Sequence, residues 1–285
     1  MSDQLSESST SRFVQTKEWN IHYNEAGEGD RHVVLLHGSG PGATGWSNFK
    51  QNLGALADAG LHVYAVDMPG WGKSETCPPD RLDHVEVAVQ LLDALGIDKA
   101  AFVGNSMGGI TTLRLAVEHP DRVSHIITMG PGSGPGAPKL FSPQDGPSEG
   151  MKVLVQAYRD PSPENMKKIV EVMTFDDRFA TDELAQERAA NAQAYPEHLE
   201  NYLAATAKFG GIIPKWFSLA DLAKVEIPAL LIHGRDDRVV SYEHSMQLVA
   251  TLKNSRMVLL ARCGHWAQVE HAEPFNRMVA EFVTA

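Results

Sequence analysis

Six short apolar runs punctuate this chain: "HVVLLH" (32–37), "HVYAVD" (62–67), "AAFVGN" (100–105), "VSHIITM" (123–129), "IPALLIHG" (227–234) and "RMVLLA" (256–261). They are apolar without strict alternation, which marks strands covered on both faces, as in a parallel sheet. Helical patterns lie between them. Val85, Val89 and Leu92 recur at helical spacing, and Gly96 supplies a stop. A second helix follows Ser106 and ends near Pro120, and "EPFNRMVAEFV" forms the last one. Strand–helix alternation of this kind predicts an α/β fold with a doubly wound, mostly parallel sheet. The segment "VQTKEWNIHYNEAG" reads as an antiparallel start, with Glu25, Ala26 and Gly27 in the turn region beyond it.

The alternation breaks between 134 and 215. A Gly/Pro-rich stretch, "GSGPGAPKLFSPQDGP", opens it. Four helical patterns follow, "SEGMKVLVQAYRD", "PENMKKIVEVM", "TDELAQERAANAQAY" and "PEHLENYLAATAKF", with no strand among them. The expected organisation is a core in two parts, 1–133 and 216–285, with an all-helical lid inserted at 134–215. "GSGPG" also occurs at 38–42, but the flanks of the two copies differ, so they are not a repeat.

Composition limits the function classes. A chain of 285 residues with net charge −11 offers no general basic surface for nucleic acid or membrane, so neither is expected as a partner. It leaves room for a small anionic substrate, for which one Arg suffices. Two distant cysteines, Cys77 and Cys263, read as free thiols of a cytoplasmic protein. The Ser-rich start "MSDQLSESSTSR" has no secretory pattern, and about ten residues of frayed tail are expected there. The twelve histidines show no metal-ligand spacing, so no metal is expected.

Chemistry concentrates at strand ends. Gly104-Asn105-Ser106-Met107-Gly108 is the chain's one G-x-S-x-G, and it falls between a strand and a helix, the context of a nucleophile elbow. A serine nucleophile needs a base and an orienting acid, in chain order Ser, Asp, His. "LLIHGRDDRVV" offers Asp236 and Asp237 after one late strand, and "LLARCGHWAQ" offers His265 after the next. The first GSGPG gains a role in this frame. An amide of Ser39 or Gly40, with that of Met107, can form an oxyanion hole.

The set "HGSGPGATGWSNF", "DMPGWGKS", "GNSMGG", "HGRDDRVV" and "CGHWAQVEHAEPFN" resembles the meta-cleavage-product hydrolases, over nearly the whole chain from about 20 to 283. These α/β-hydrolases cleave a carbon–carbon bond in ring-fission products of aromatic degradation. The resemblance selects Asp237 over Asp236. It implies a 2-hydroxy-6-oxohexa-2,4-dienoate substrate with a variable group at C6, hydrolysed to 2-hydroxypenta-2,4-dienoate and a carboxylic acid without a cofactor. It implies that Arg188 on a lid helix and Asn48 bind the carboxylate and dienoate end, with Asn105 and Trp266 lining that region. It further implies a homo-oligomer of two or more chains.

The C6 side departs from the pattern. Several relatives have an aromatic residue after "DDR", where this chain has Val239-Val240-Ser241, and Met173 stands at a lid position where some carry Phe. A more aliphatic wall is expected. A carboxylesterase of the same fold is the competing function and needs neither Arg188 nor Asn48. Ser106 counts against dehalogenases and epoxide hydrolases of this fold, whose nucleophile is an Asp. An intact Ser, Asp and His set counts against a non-catalytic receptor.

Overall fold

The computed structural model describes residues 5–78, 81, 83–134, 137, 140–141, 147–209 and 215–285. The chain opens with α1 (Glu7–Thr10), β1 (Ser11–Gln15), β2 (Asn20–Ala26), β3 (Arg31–Leu36), α2 (Gly45–Asp58) and β4 (Leu61–Val66). Next come α3 (His84–Leu95), β5 (Ala100–Asn105), α4 (Met107–Glu118) and β6 (Val123–Met129). Then α5 (Glu149–Arg159), α6 (Pro163–Met173), α7 (Asp182–Ala194), α8 (Pro196–Phe209) and α9 (Leu219–Leu222) follow without a strand among the described residues. The chain closes with β7 (Ala229–Gly234), α10 (Glu243–Thr251), β8 (Ser255–Leu260), α11 (Ala267–Glu270) and α12 (Ala272–Thr284). Pro135 and Gly136 of the second GSGPG, and most of the Gly/Pro-rich stretch after it, lie outside the described residues.

The strands form one eight-stranded sheet in the order β1-β2-β4-β3-β5-β6-β7-β8. β1 and β2 pair antiparallel with each other, as does β2 with β4, and β3 to β8 are parallel. Successive side chains on a strand face opposite ways. Val34, Leu36 and Phe102 therefore enter one apolar core, and Val33, Leu35, Ala101 and Val103 the other. The chain leaves β3 for β4 on one side and returns to β5 on the other. The carboxyl ends of β3 and β5 thus flank the switch point of the sheet, where ligand sites of such folds gather. α3 ends as expected: Gly96 caps it at φ 68°.

Three expectations need correction. Residues 6–10 are not a frayed tail. Ser6 and Ser9 form a reciprocal cap on α1, Thr10 is buried, and Asn24 Nδ2 donates to Glu7 O and Thr10 Oγ1. Glu25 and Ala26 belong to β2, paired with Tyr64 and Val63 of β4, and the turn begins at Gly27. β8 is an edge strand covered incompletely, with Leu259 exposed, because no further strand follows it. Among the described residues, no helix is long and apolar enough to cross a membrane.

Candidate active site

Ser106 joins β5 to α4 with φ 52° and ψ −112°, a conformation that costs a non-glycine residue roughly 1–3 kcal/mol. The turn around it is too tight for side chains. A Cβ on Gly104 would stand 2.2 Å from Gly108 O, and one on Gly108 2.2 Å from Leu36 O. The Ser106 amide is fastened to Met129 O at 2.8 Å. Its hydroxyl makes no hydrogen bond to the described residues and is partly open to solvent.

Asp237 follows β7 and is fully enclosed. Its Oδ1 accepts from the amides of Val239 (2.7 Å) and Val240 (3.0 Å), and its Oδ2 from His265 Nδ1 (2.7 Å) and His233 Nε2 (3.1 Å). Burial pushes this carboxyl's pKa up, but the charges and hydrogen bonds of His265 and His233 outweigh it and hold the group well below the usual carboxylate range. Asp236 does something else: its Oδ2 accepts from the Arg262 amide at 2.9 Å. The geometry thus brings Asp237, and not Asp236, to His265.

His265 is fixed along its backbone. Its amide donates to Met173 O at 2.7 Å, at the end of α6, and its carbonyl accepts from Asn105 Nδ2 at 3.1 Å. Asn105 is the neighbour of Ser106, so one side chain couples the elbow to the histidine loop. Gly130, at φ 54°, leaves the space these groups occupy. A Cβ there would lie 2.7 Å from His265 Nδ1. The Asp237–His265 bond commits Nδ1 to donation and leaves Nε2 as the basic nitrogen.

The loop after β3 runs against the elbow. A Cβ on Gly38 would come within 3.3 Å of Ser106 Cβ. His37 Nδ1 donates to Gly38 O at 2.7 Å while its Nε2 accepts from the Met68 amide at 3.1 Å. One acceptor at Nδ1 and one donor at Nε2 fix the ring in a single tautomer. The amides of Ser39, Gly40 and Met107 meet no acceptor among the described residues. From α5, Tyr158 donates its hydroxyl to Ser39 O and receives Trp71 Nε1–H at 3.1 Å, while its ring stacks on Tyr202 with centroids 3.4 Å apart. Tyr158→Phe leaves a buried indole N–H and a carbonyl unpaired. We expect it to cost about 1–3 kcal/mol of stability, read as a lower denaturation midpoint at unchanged m-value.

Arg188 on α7 is buried at 2% exposure. Its guanidinium lies 4.9 Å from the Trp266 ring and 3.4 Å from Pro41 O, its Nε has no partner, and no carboxylate is within ion-pair reach among the described residues. Burial pulls its pKa down to about 10, which still leaves it charged at neutral pH. A buried, charged and uncompensated guanidinium is costly, and an anion beside it relieves that cost. Asn48 is buried in the first turn of α2, and its Nδ2 donates to Thr44 O at 3.0 Å. Val239 packs its side chain toward Gly150 of α5, Val240 is half-buried, and Met173 is buried. No cluster of three His, Cys, Asp or Glu side chains is placed to hold a metal among the described residues.

Comparison with known proteins agrees with this geometry. The model of the alpha/beta hydrolase fold family matches residues 31–272. The chain is 44% identical to a 2-hydroxy-6-oxononadienedioate/2-hydroxy-6-oxononatrienedioate hydrolase of Burkholderia vietnamiensis, over 97% of this chain and 96% of that one. It is 43% identical to a 2-hydroxy-6-oxo-6-phenylhexa-2,4-dienoate hydrolase of Burkholderia cepacia, over 98% of each. A solved meta-cleavage product hydrolase of Pseudomonas fluorescens superposes with a TM-score of 0.82 at 28% identity, covering 96% of this chain and 97% of that one. The chain belongs to the meta-cleavage-product hydrolases of the α/β-hydrolase fold.

Two features of this hydrolase escaped the sequence. In the sequence Tyr158 is one position in the helical pattern "SEGMKVLVQAYRD". His233 was part of the strand run "LLIHG", where a buried residue reads as core. Its hydrogen bond to Asp237 four positions on is visible only once the strand end and the following loop fold back on each other.

Proposed function

We propose that this enzyme hydrolyses the C5–C6 bond of a 2-hydroxy-6-oxohexa-2,4-dienoate, with Ser106 as nucleophile, His265 as general base and Asp237 as its orienting acid. The observation that carries this reading beyond a plain esterase is Arg188, a buried cation with no ion-pair partner among the described residues, lying over the ring of Trp266 next to His265. A substrate carboxylate fits that vacancy in charge, and Asn48 and Asn105 are the polar groups assigned to the same dienoate end.

The chemistry needs a route for electrons. A carbon–carbon bond breaks heterolytically only if the departing carbon can delocalise the pair. Ketonising the dienol places a carbonyl conjugated with that carbon. Ser106 Oγ then attacks the C6 carbonyl and passes its proton to His265 Nε2. The developing oxyanion meets the Met107 amide and that of Ser39 or Gly40, and one such donor contributes about 3 kcal/mol to the barrier reduction. As C5–C6 breaks, the fragment leaves as a dienolate and takes a proton, giving 2-hydroxypenta-2,4-dienoate. Water activated by His265 releases the acid from Ser106. No redox equivalent enters or leaves.

The group at C6 differs among relatives: one listed above is named for a nonadienedioate and another for a phenylhexadienoate. In this chain Met173 and Val239 line the C6 side without a flat ring, and Met adapts to irregular shapes. Alkyl groups at C6 are therefore expected to be turned over at least as well as phenyl. Steady-state kcat/KM for methyl, isopropyl and phenyl dienoates tests this, with differences of about 1–3 kcal/mol per misfitting group. A strong preference for phenyl would assign C6 specificity to other residues. The same reading places the enzyme in the cytoplasm as a homo-oligomer of two or more chains, which light scattering on the eluted protein checks.

A further inference from the structure

We propose that His233 is a positioning residue of the catalytic acid, fixing Asp237 and tempering how strongly it holds His265. The proposal rests on the assignment of Asp237 and His265 given above. His233 is the penultimate residue of β7 and is fully buried, in a line that runs Ser245, His233, Asp237, His265. Its Nδ1 is 2.7 Å from Ser245 Oγ. Its Nε2 faces two oxygens, Asp237 Oδ2 at 3.1 Å and Val240 O at 3.0 Å.

The protonation pattern follows from these partners. A backbone carbonyl and an ionised carboxylate can only accept, so Nε2 carries hydrogen. Ser245 Oγ, which can donate or accept, completes the pairing at Nδ1. Two consequences follow. The ring is held at both nitrogens and cannot rotate, so Asp237 Oδ2 is held from one side while two amides hold Oδ1. In addition, Oδ2 is shared. Every increment of charge that it gives to the His233 N–H is withheld from the His265 imidazolium that forms during catalysis. The other ionisable groups around this line are Asp236, Cys263 and Glu270 beside the His265 loop, Glu243 and His244 on the helix carrying Ser245, and Arg238 next to Asp237. Asp236, Glu270 and Arg238 are bonded to backbone groups, of Arg262, of Gly264, Phe175 and Asp176, and of Glu171 and Thr174 respectively. None of the three replaces the His233 contact.

The test compares His233→Phe, which keeps a ring without a donor, with His233→Gln, whose amide reaches the Nε2 position. For His233→Phe, kcat should fall about tenfold with KM held, because only the alignment of the base is disturbed. The acid limb of its kcat/KM profile should move up by roughly half a pH unit, since an unshared Oδ2 stabilises the imidazolium more. His233→Gln should restore the limb toward its original position. His265→Ala is the control for the underlying assignment. If that variant retains turnover, the assignment itself fails. If it is inactive while His233→Phe only lowers the melting temperature, with limb and kcat unmoved, His233 is a packing residue and the proposal is overturned. A limb shifted equally in both His233 variants also overturns it, because the donor would then not be the cause.

Discussion

Ser106→Ala should lose on the order of 10³-fold or more in carbon–carbon cleavage while still folding and binding the dienoate. The substitution removes one oxygen at a site whose backbone is dictated by neighbours rather than by the side chain. Gly104 and Gly108 admit the tight turn, and the Ser106 amide holds Met129 O at 2.8 Å whatever residue stands there. The variant therefore separates steps. Ketonisation, which needs no nucleophile on carbon, should persist as a loss of dienolate absorbance without release of the carboxylic acid. Stopped-flow absorbance with product analysis reads both events. Near-normal acid release from a folded Ser106→Ala protein would remove Ser106 from the mechanism.

Arg188→Gln should weaken dienoate binding by roughly ten- to a hundredfold, the equivalent of about 1.5–3 kcal/mol for a charge-assisted contact. The guanidinium is desolvated before substrate arrives, with Nε unpaired among the described residues, the Trp266 ring 4.9 Å away and Pro41 O 3.4 Å away. Much of its hydration has thus been given up in folding, and an arriving carboxylate recovers the interaction. Gln keeps a polar amide on a stem two bonds shorter and carries no charge. Removing an uncompensated buried cation should leave the fold no less stable. KM for a neutral ester should hardly change. An equal loss on dienoate and ester, with a lowered melting temperature, would reassign Arg188 to holding α7 against the loop at Pro41.

The parts of this molecule legible in sequence are those fixed by local pattern. β5 and β6 fall on their apolar runs because parallel strands buried on both faces leave a continuous apolar trace. Helices α5, α6 and α7 start at their side-chain caps, Ser148, Ser162 and Thr181. The elbow was visible because its glycines are required by backbone contacts only a few residues away. What depends on long-range closure was not legible. The four residues of α1 are too few to form a helix alone. They are held by Asn24 and by an ion pair of Glu7 with Lys73 at 2.6 Å, contacts that no window of sequence contains. Tyr158 reaches Ser39 across 119 positions. Helical periodicity alone does not reveal that the face Arg188 occupies turns inward over Trp266, and only the resemblance to the family singled this residue out.

The choice of substrate is the most direct test. The purified enzyme is offered a coloured 6-alkyl dienoate and p-nitrophenyl acetate under the same conditions, and the products are quantified. We expect bleaching of the dienoate with equal moles of 2-hydroxypenta-2,4-dienoate and carboxylic acid. Its kcat/KM should exceed that for the ester by on the order of a hundredfold, the discrimination available to a site built around a charged contact. Rapid ester turnover with the dienoate left coloured, or bleached without release of the acid, would contradict carbon–carbon hydrolysis and leave an esterase on the same triad.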